Sequence, residues 1–463
     1  MTGSAPAQVV VVGAGPAGIA AAEALVAGGL RPILLDEGAM PGGQGHRRSD
    51  PALGLSLASM KDAGHRRTHS TFEALRDAID YRARTLVWSV DGELAYTALD
   101  GAVSDAGIAY DALILATGAT DRIAPVPGWT LPGVYTLGGA QVLLKDQGCA
   151  IGREVVFYGS SPLLYLAAAQ YLEAGAGKVT ILDTTPFVEK IKASPGIAKA
   201  PAVLWQGMRL MARLRLAGMR MHHGVSDLSI EGDEGDEGVV GVTFRATGRS
   251  VAIACDAIAI GHGLRAETQL AEIAGCDMAF DGDFAQWLPK TDADGRARAG
   301  LYLAGDGARI AGASAAAAMG RLAALACLAD FGHRVDPAEM ARLRATRDTL
   351  QSAQRALARA FAWPHRAIAE LPDSAVLCRC ENVTAGAVRR VARELSGVSD
   401  INRVKALTRC GMGRCQSRMC GQAAIEIAAA ARGEPAEALA HFRPQPPVKP
   451  IFIPTAVPQE ARS

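Results

Sequence analysis

At 463 residues the chain is too long for one ordinary core, so two or three domains are expected. Its 49% hydrophobic and 21% charged residues read as globular, and a formal charge of +1 offers neither a basic field for nucleic acid nor an acidic one for cations. The longest apolar stretch, Ala311–Ala329, contains Gly312, Gly320 and Arg321 and does not read as a transmembrane segment, while MTGSAPAQVVVV lacks a basic leader, so a cytoplasmic location is expected.

Val9–Val12 is a β-branched run of the kind that forms a fully buried parallel strand. It enters Gly13-Ala14-Gly15-Pro16-Ala17-Gly18 and then the helical run IAAAEALVAGG. Gly13 permits a tight turn, Gly15 lets a pyrophosphate approach the backbone, and Gly18 allows close helix–strand packing, with the helix N-terminus toward the phosphates. A second strand, Pro32–Leu35, ends on Asp36-Glu37, 23 and 24 residues after Gly13, where an acid can bond a ribose hydroxyl. Strand, glycines, helix and acid together predict a dinucleotide site.

Pro41-Gly42-Gly43-Gln44 is a second turn able to admit a cofactor. Residues 46–70, rich in His and Arg, read as a solvated loop, or as a basic lip for an anionic substrate or partner. Arg82–Val90 and Leu94–Leu99 read as paired strands about an Asp91-Gly92 turn. Tyr110–Gly118 is another buried strand, closing on Thr117-Gly118 before a Pro-rich crossing, and Leu301–Gly307 (LYLAGDG) precedes a helix from Ala313. This order resembles the two-dinucleotide-domain flavoproteins of the glutathione- and thioredoxin-reductase type. The resemblance implies FAD, with Gly305-Asp306 placing an acid on its ribityl or phosphate oxygens.

Between these pieces a second Rossmann-like unit is expected: strand Glu154–Tyr158, turn Gly159-Ser-Ser-Pro-Leu-Leu164, a helix to about Gly175, and strand Val179–Leu182 ending at Asp183. Ser161 and Leu164 replace its second and third glycines, which argues against NAD(P)H there and leaves a kept fold whose ligand is lost or exchanged for another nucleotide. Residues 200–223 read as one amphipathic helix whose Met and Trp pack, and Glu231–Gly238 as an acidic hairpin tip. Cys149, Cys255, Cys276 and Cys327 read as small core residues, and His222, His223 and His262 lack partners at ligand spacing. Residues 336–370 form a charged helical bridge broken at Pro364, and the Pro-rich end is expected to run extended along a surface.

Five of the nine cysteines fall between Cys378 and Cys420. They make Cys378-x-Cys380 and Cys415-x4-Cys420, with Cys410 left over; close thiolates of this kind suit zinc or an iron–sulfur cluster. Thr384 should cap a helix to about Leu395, and a second helix, Gln422–Ala431, should stop at Gly433. The spacing resembles the bacterioferritin-associated-ferredoxin module, which implies a 2Fe–2S cluster on Cys378, Cys380, Cys415 and Cys420.

Taken together, Gly13–Gly18, LILATGATDRIAPVPGWTLPGVYTLGGAQVLLKDQG, GSSPLL, AIAIGHGLRAETQLAEIAGC, LYLAGD and CRCENVT…TRCGMGRCQ cover nearly the whole chain. They are similar to the A-type (alpha) subunit of the opine oxidase, hydrogen cyanide synthase and D-hydroxyproline or proline dehydrogenase family. The expected fold is α/β: an FAD domain (1–150 and 266–335), a degenerate second Rossmann domain (151–265), a helical linker (336–372), a 2Fe–2S domain (373–435) and a Pro-rich tail (436–463). The resemblance implies a partner beta subunit of the D-amino-acid-oxidase type, where an opine or amino acid is oxidised, an FMN at the contact, a small iron–sulfur gamma subunit, and a quinone-like or dye acceptor that can bring the complex to the inner membrane. No catalytic base is expected on this chain. The alternatives are an NAD(P)H-dependent flavoprotein reductase and a non-catalytic nucleotide-binding scaffold; the former needs a cysteine pair near the flavin, and no cysteine precedes Cys149.

Overall fold

The computed structural model describes residues 7–49, 51–54, 62–104, 106–233, 238–397 and 399–452. Val9–Val12, buried on both faces, pairs in parallel with Ile33–Leu35 on one side and Ala112–Leu115 on the other. Asp80–Arg82 extends the sheet beyond Ile33–Leu35, and Leu301–Leu303 and the antiparallel edge strand Arg296–Arg298 complete it. The continuous apolar runs demand cover on both faces, which is the reason helices flank this sheet. Two of them, Pro16–Ala27 and Ala313–Asp330, touch at backbone distance: a Cβ on Gly320 would stand 1.9 Å from the Ala17 carbonyl oxygen. Ala313–Asp330 is long and apolar enough to cross a membrane by composition, yet most of it is buried in this core.

A second sheet runs Val134–Thr136, Ala257–Gly261, Glu154–Gly159, Lys178–Asp183, Arg220–His223, all parallel. The chain passes between the sheets on an antiparallel pair, Ala119–Asp121 with Leu264–Ala266. Residues 134–147 therefore belong to the second unit rather than to the first, where their position before residue 150 would put them. Val134–Thr136 pairs with Ile258–Ile260, and the helix Leu137–Gln147 packs its Leu137, Ala140 and Leu144 into that unit's core.

Local expectations at several places give way to tertiary context. The helix Pro201–Leu216 ends early because Gly218 turns at φ +72°, and Arg220–His223 joins the sheet as a strand. Trp205 and Met208 on that helix are exposed, at 60% and 49%, and do not pack. Part of the expected loop 46–70 is a helix, Ala63–Leu75, capped by Asp62 and burying His65, Thr68 and His69. Cys149 is exposed, whereas Cys255, Cys276 and Cys327 are buried. Strands Ser226–Asp233 and Gly238–Ala246 pair as a hairpin, while residues 234–237 at its tip lie outside the described residues.

The linker helix Pro337–Ala360 lies against Ala313–Asp330 and is followed, after Pro364, by the short helix His365–Ala369. Beyond it, helices Ala385–Glu394, Ile401–Thr408 and Gly421–Arg432 enclose a separate core of Leu377, Val388, Ile401 and Ile427. Thr384 caps the first of these helices, and Gly433, in the left-handed conformation, ends the last. Residues 443–452 run along the surface without helix, forming a single bridge from Phe452 to Ala102.

The Gly320–Ala17 contact makes a sharp prediction. Gly320→Val forces the two core helices apart and should destabilise the protein by about 1–3 kcal/mol, read as a lower thermal midpoint; an unchanged midpoint would contradict the packing.

Candidate functional site

The Gly13 turn is built for close approach. Its φ is +104°, its N–H donates to the Leu35 carbonyl at 2.7 Å, and a Cβ there would meet the Ala116 carbonyl oxygen at 2.3 Å. Gly18 seats the helix on the strand, since its Cβ would fall 1.7 Å from the Gly13 carbonyl oxygen. A Cβ at Gly15, by contrast, would find only the Gly43 Cα at 3.8 Å, so the space before the helix stays open. The helix beginning at Pro16 has no side-chain cap, which leaves its start to a ligand.

The other expected residues gather around this opening. Gly43 lies against Gly15, Gly305 against Ala17, and Gly307 against Thr117 and Gly118. Asp36 accepts from the Ala14 N–H at 2.5 Å and the Gly38 N–H at 2.6 Å, and burial pushes its carboxyl up. Asp306 accepts from the Ala311 and Gly312 N–H groups at 2.9 and 3.1 Å just before the Ala313 helix. Glu37 and Gln44 are turned elsewhere: Glu37 pairs with Lys449 of the tail at 2.5 Å, and Gln44 accepts from Arg47. The open helix start and the three glycine-lined approaches fit a flavin dinucleotide.

A cavity of about 430 Å³ adjoins Asp306 and Gly312. Its far wall carries Arg122, His262 and Trp363 from the second unit and the linker. Arg122 is fully buried, donates to the carbonyls of Phe284 and Ala285, and stacks 3.9 Å from the Trp363 ring. Burial and the neighbouring Arg122 pull His262 down to about 3, so it is neutral across the physiological range.

Five cysteines meet at the second centre. The sulfurs of Cys378, Cys410 and Cys420 lie within 4.8 Å of one another, all buried. Cys415 interacts with Cys380 next to them. The thiols of Cys410 and Cys420 hold the Cys378 thiol down, to about 2, and Cys378 in turn pushes both of theirs up. Cys410, unassigned from spacing, is thus an integral member of the knot. The signal was its place five residues before Cys415, matching the interval from Cys415 to Cys420.

The cysteine loop is bolted to the flavin fold. Arg418 holds Glu267 through two bonds, at 2.8 and 2.9 Å, with both side chains at or below 10% exposure. Gln269 Nε2 donates to the Gln416 carbonyl at 2.8 Å. Arg265 is half-buried, with its Nη1 out of water and without a partner among the described residues, and it feels Cys415 and Cys420. An orphaned buried guanidinium nitrogen beside gathered thiols is what an anionic thiolate-ligated cluster would satisfy, so the residues fit a 2Fe–2S centre. Arg265 and Glu267 lie in the quoted stretch AIAIGHGLRAETQLAEIAGC, but neither they nor Arg418 were singled out from the sequence.

Comparison with known proteins agrees with this architecture. Residues 7–320 match the family model "Pyridine nucleotide-disulphide oxidoreductase", and residues 376–430 the "BFD-like [2Fe-2S] binding domain". The chain is 36% identical to the A-type subunit of opine oxidase from Rhizobium meliloti, over 96% of this chain and 86% of that one. It is 32% identical to the HcnB subunit of hydrogen cyanide synthase from Pseudomonas aeruginosa, over 89% and 90%. Among solved structures, L-proline dehydrogenase from P. horikoshii shares the fold, with a TM-score of 0.69 at 20% identity over 97% of this chain and 79% of that one. The chain belongs to the family of opine oxidase A-type and hydrogen cyanide synthase HcnB subunits, a flavin-type oxidoreductase fold joined to a 2Fe–2S domain.

Burial alone would raise the Glu267 carboxyl, but Arg265 and Arg418 hold it below its usual range. A depressed carboxyl contributes stability above its unfolded value and loses that contribution as pH falls through the folded one. The protein should therefore lose stability on acidification. Arg418→Ala should cost about 3–5 kcal/mol near neutral pH by stripping one partner from a buried charge, and should flatten the acid limb. Thermal midpoints across a pH series read both effects, and a parallel shift at every pH would contradict them.

Proposed function

We propose that this chain is the flavin and iron–sulfur electron-transfer subunit of a heteromeric dehydrogenase or oxidase acting on an opine or secondary amino acid at its C–N bond. Substrate oxidation falls to a partner of the D-amino-acid-oxidase type. An FMN at the contact, a small iron–sulfur third subunit and a quinone-like or dye acceptor complete the reading, with the complex in the cytoplasm or peripheral at the inner membrane. The observation that carries the proposal is the Glu267–Arg418 bolt, which fixes a dinucleotide cradle and a cysteine knot side by side.

FAD is assigned to Gly13, Gly15, Pro16, Ala17, Gly18, Asp36, Gly43, Thr117, Gly118, Gly305 and Asp306, and the cavity beside Asp306 is room for its ring system. A flavin accepts two electrons together and returns them singly, while a 2Fe–2S centre carries one, which is the chemistry this pair of groups supplies. The chain's own residues bury the two sites, supply their ligands and hold their separation. Cys378, Cys380, Cys415 and Cys420 are the assigned ligands, with Cys410 as a packed fifth thiol. Exposed Phe187, Ile191, Trp205 and Met208 on the helices Phe187–Ile197 and Pro201–Leu216 support a place within a larger assembly.

Cys378→Ser and Cys415→Ser should each abolish the 2Fe–2S EPR signal, whereas Cys410→Ser should keep it. A full signal in both of the first two would overturn the ligand set, and loss in the third would move Cys410 into it. The purified chain alone should turn over no opine or amino acid with a dye acceptor, and co-expression with its partner should restore turnover. Substrate oxidation by the isolated chain would refute the division of labour.

A further inference from the structure

The family model that covers residues 7–320 is named for a pyridine nucleotide, and the second Rossmann unit is where one would lie. The residues there do not fit it. A dinucleotide pyrophosphate is held by free N–H groups in the first turn of a helix. In the helix Pro162–Glu173, Pro162 has no N–H, Leu163 donates to Ser161 Oγ at 3.1 Å, and Leu164 donates to the Ser161 carbonyl at 3.2 Å. All three positions are closed, whereas the flavin-side helix has no side-chain cap at Gly15. The acid expected on the ribose is committed as well. Asp183 is 0% exposed and accepts from Thr185 N–H at 2.7 Å, Tyr165 Oη at 2.5 Å and Lys190 Nζ at 2.6 Å.

The chain itself lies over the closed turn. Ser160 Oγ donates to the Ala362 carbonyl at 3.2 Å, and Lys190 Nζ sits 5.5 Å from the Phe361 ring centre. Trp363 stacks on Arg122 and meets His262 edge-on at 5.9 Å. The same Trp363 is part of the core that contains Leu377 and Cys378. The cavity that remains beside Phe361 is walled by residues 160–163 of the turn and by residues 361–363, and it reaches Asp306 and Gly312 on the flavin side.

We propose that residues 361–363 occupy the cleft a pyridine nucleotide would enter, so that this unit takes no NAD(P)H and serves instead as the seat of the iron–sulfur domain. The inference concerns this chain's own contacts and does not depend on which substrate the complex oxidises.

The test uses the full-length protein. Calorimetric titration with NADH, NADPH and ADP-ribose should give no binding tighter than about 1 mM, and NADH should not bleach the bound flavin anaerobically. Ser160→Ala removes the bond to Ala362 without opening the core. It should raise backbone hydrogen exchange across 361–365 by roughly 2- to 10-fold, with flavin content unchanged. Nucleotide binding tighter than that limit, or flavin bleaching by NADH, overturns the occupied cleft. Exchange in Ser160→Ala equal to wild type overturns the seat.

Discussion

The arrangement of this molecule depends on the buried ion pair between Glu267 and Arg418. Taking two charges out of water is expensive, and a one-sided bond would not repay it. Here Arg418 grips the carboxylate with two nitrogens, and Arg265 adds a second cation. The Glu267 main chain is tied as firmly: its N–H donates to the Gly118 carbonyl and its own carbonyl accepts from the Thr117 hydroxyl. One residue thus belongs to the flavin fingerprint through its backbone and to the cysteine loop through its side chain. The tail reinforces the joint, with the Val448 carbonyl accepting from Arg418 and Lys449 reaching Glu37. Such a pair contributes register more than net stability, and register is what two redox sites need.

The two Rossmann units show how few atoms separate a binding site from a scaffold. Both begin with a glycine pressed on a neighbouring strand, Gly13 on Ala116 and Gly159 on Gly261. Both put a proline at the start of the following helix. One difference is a hydroxyl. Ser161 accepts from the N–H that a phosphate would otherwise take, whereas Gly15 has no side chain to do so.

The first unit was legible in the sequence because each of its requirements is local. β-branched runs, glycines and a terminal acid are read one strand and one turn at a time. The helix caps Thr384 and Gly433 were legible for the same reason. What escaped depends on contacts between distant segments. The strand at Arg220–His223 needs its neighbour Lys178–Asp183 to exist, and the burial of His65 and His69 needs the Gly42 turn, whose Cβ position lies 2.9 Å from the His69 ring. Cys410 looked superfluous because its five-residue interval to Cys415 does not by itself report that the fold brings its sulfur beside those of Cys378 and Cys420.

Charge balance links the joint to the chemistry it positions. Cys378, Cys410 and Cys420 are buried, Cys380 and Cys415 partly so, and the thiols of Cys410 and Cys420 hold that of Cys378 down while it pushes that of Cys410 up. A thiolate-ligated centre concentrates more negative charge in the same volume, and reduction adds another. Arg265, whose buried Nη1 has no partner among the described residues, would offset that charge at short range, and Arg418 donates to the Cys415 carbonyl. Nearby cations and hydrogen bonds of this kind raise the potential of a cluster. The residues that locate the cysteine loop against the flavin fold are therefore also the ones that would offset the charge of a bound cluster, so position and charge balance rest on the same two guanidiniums.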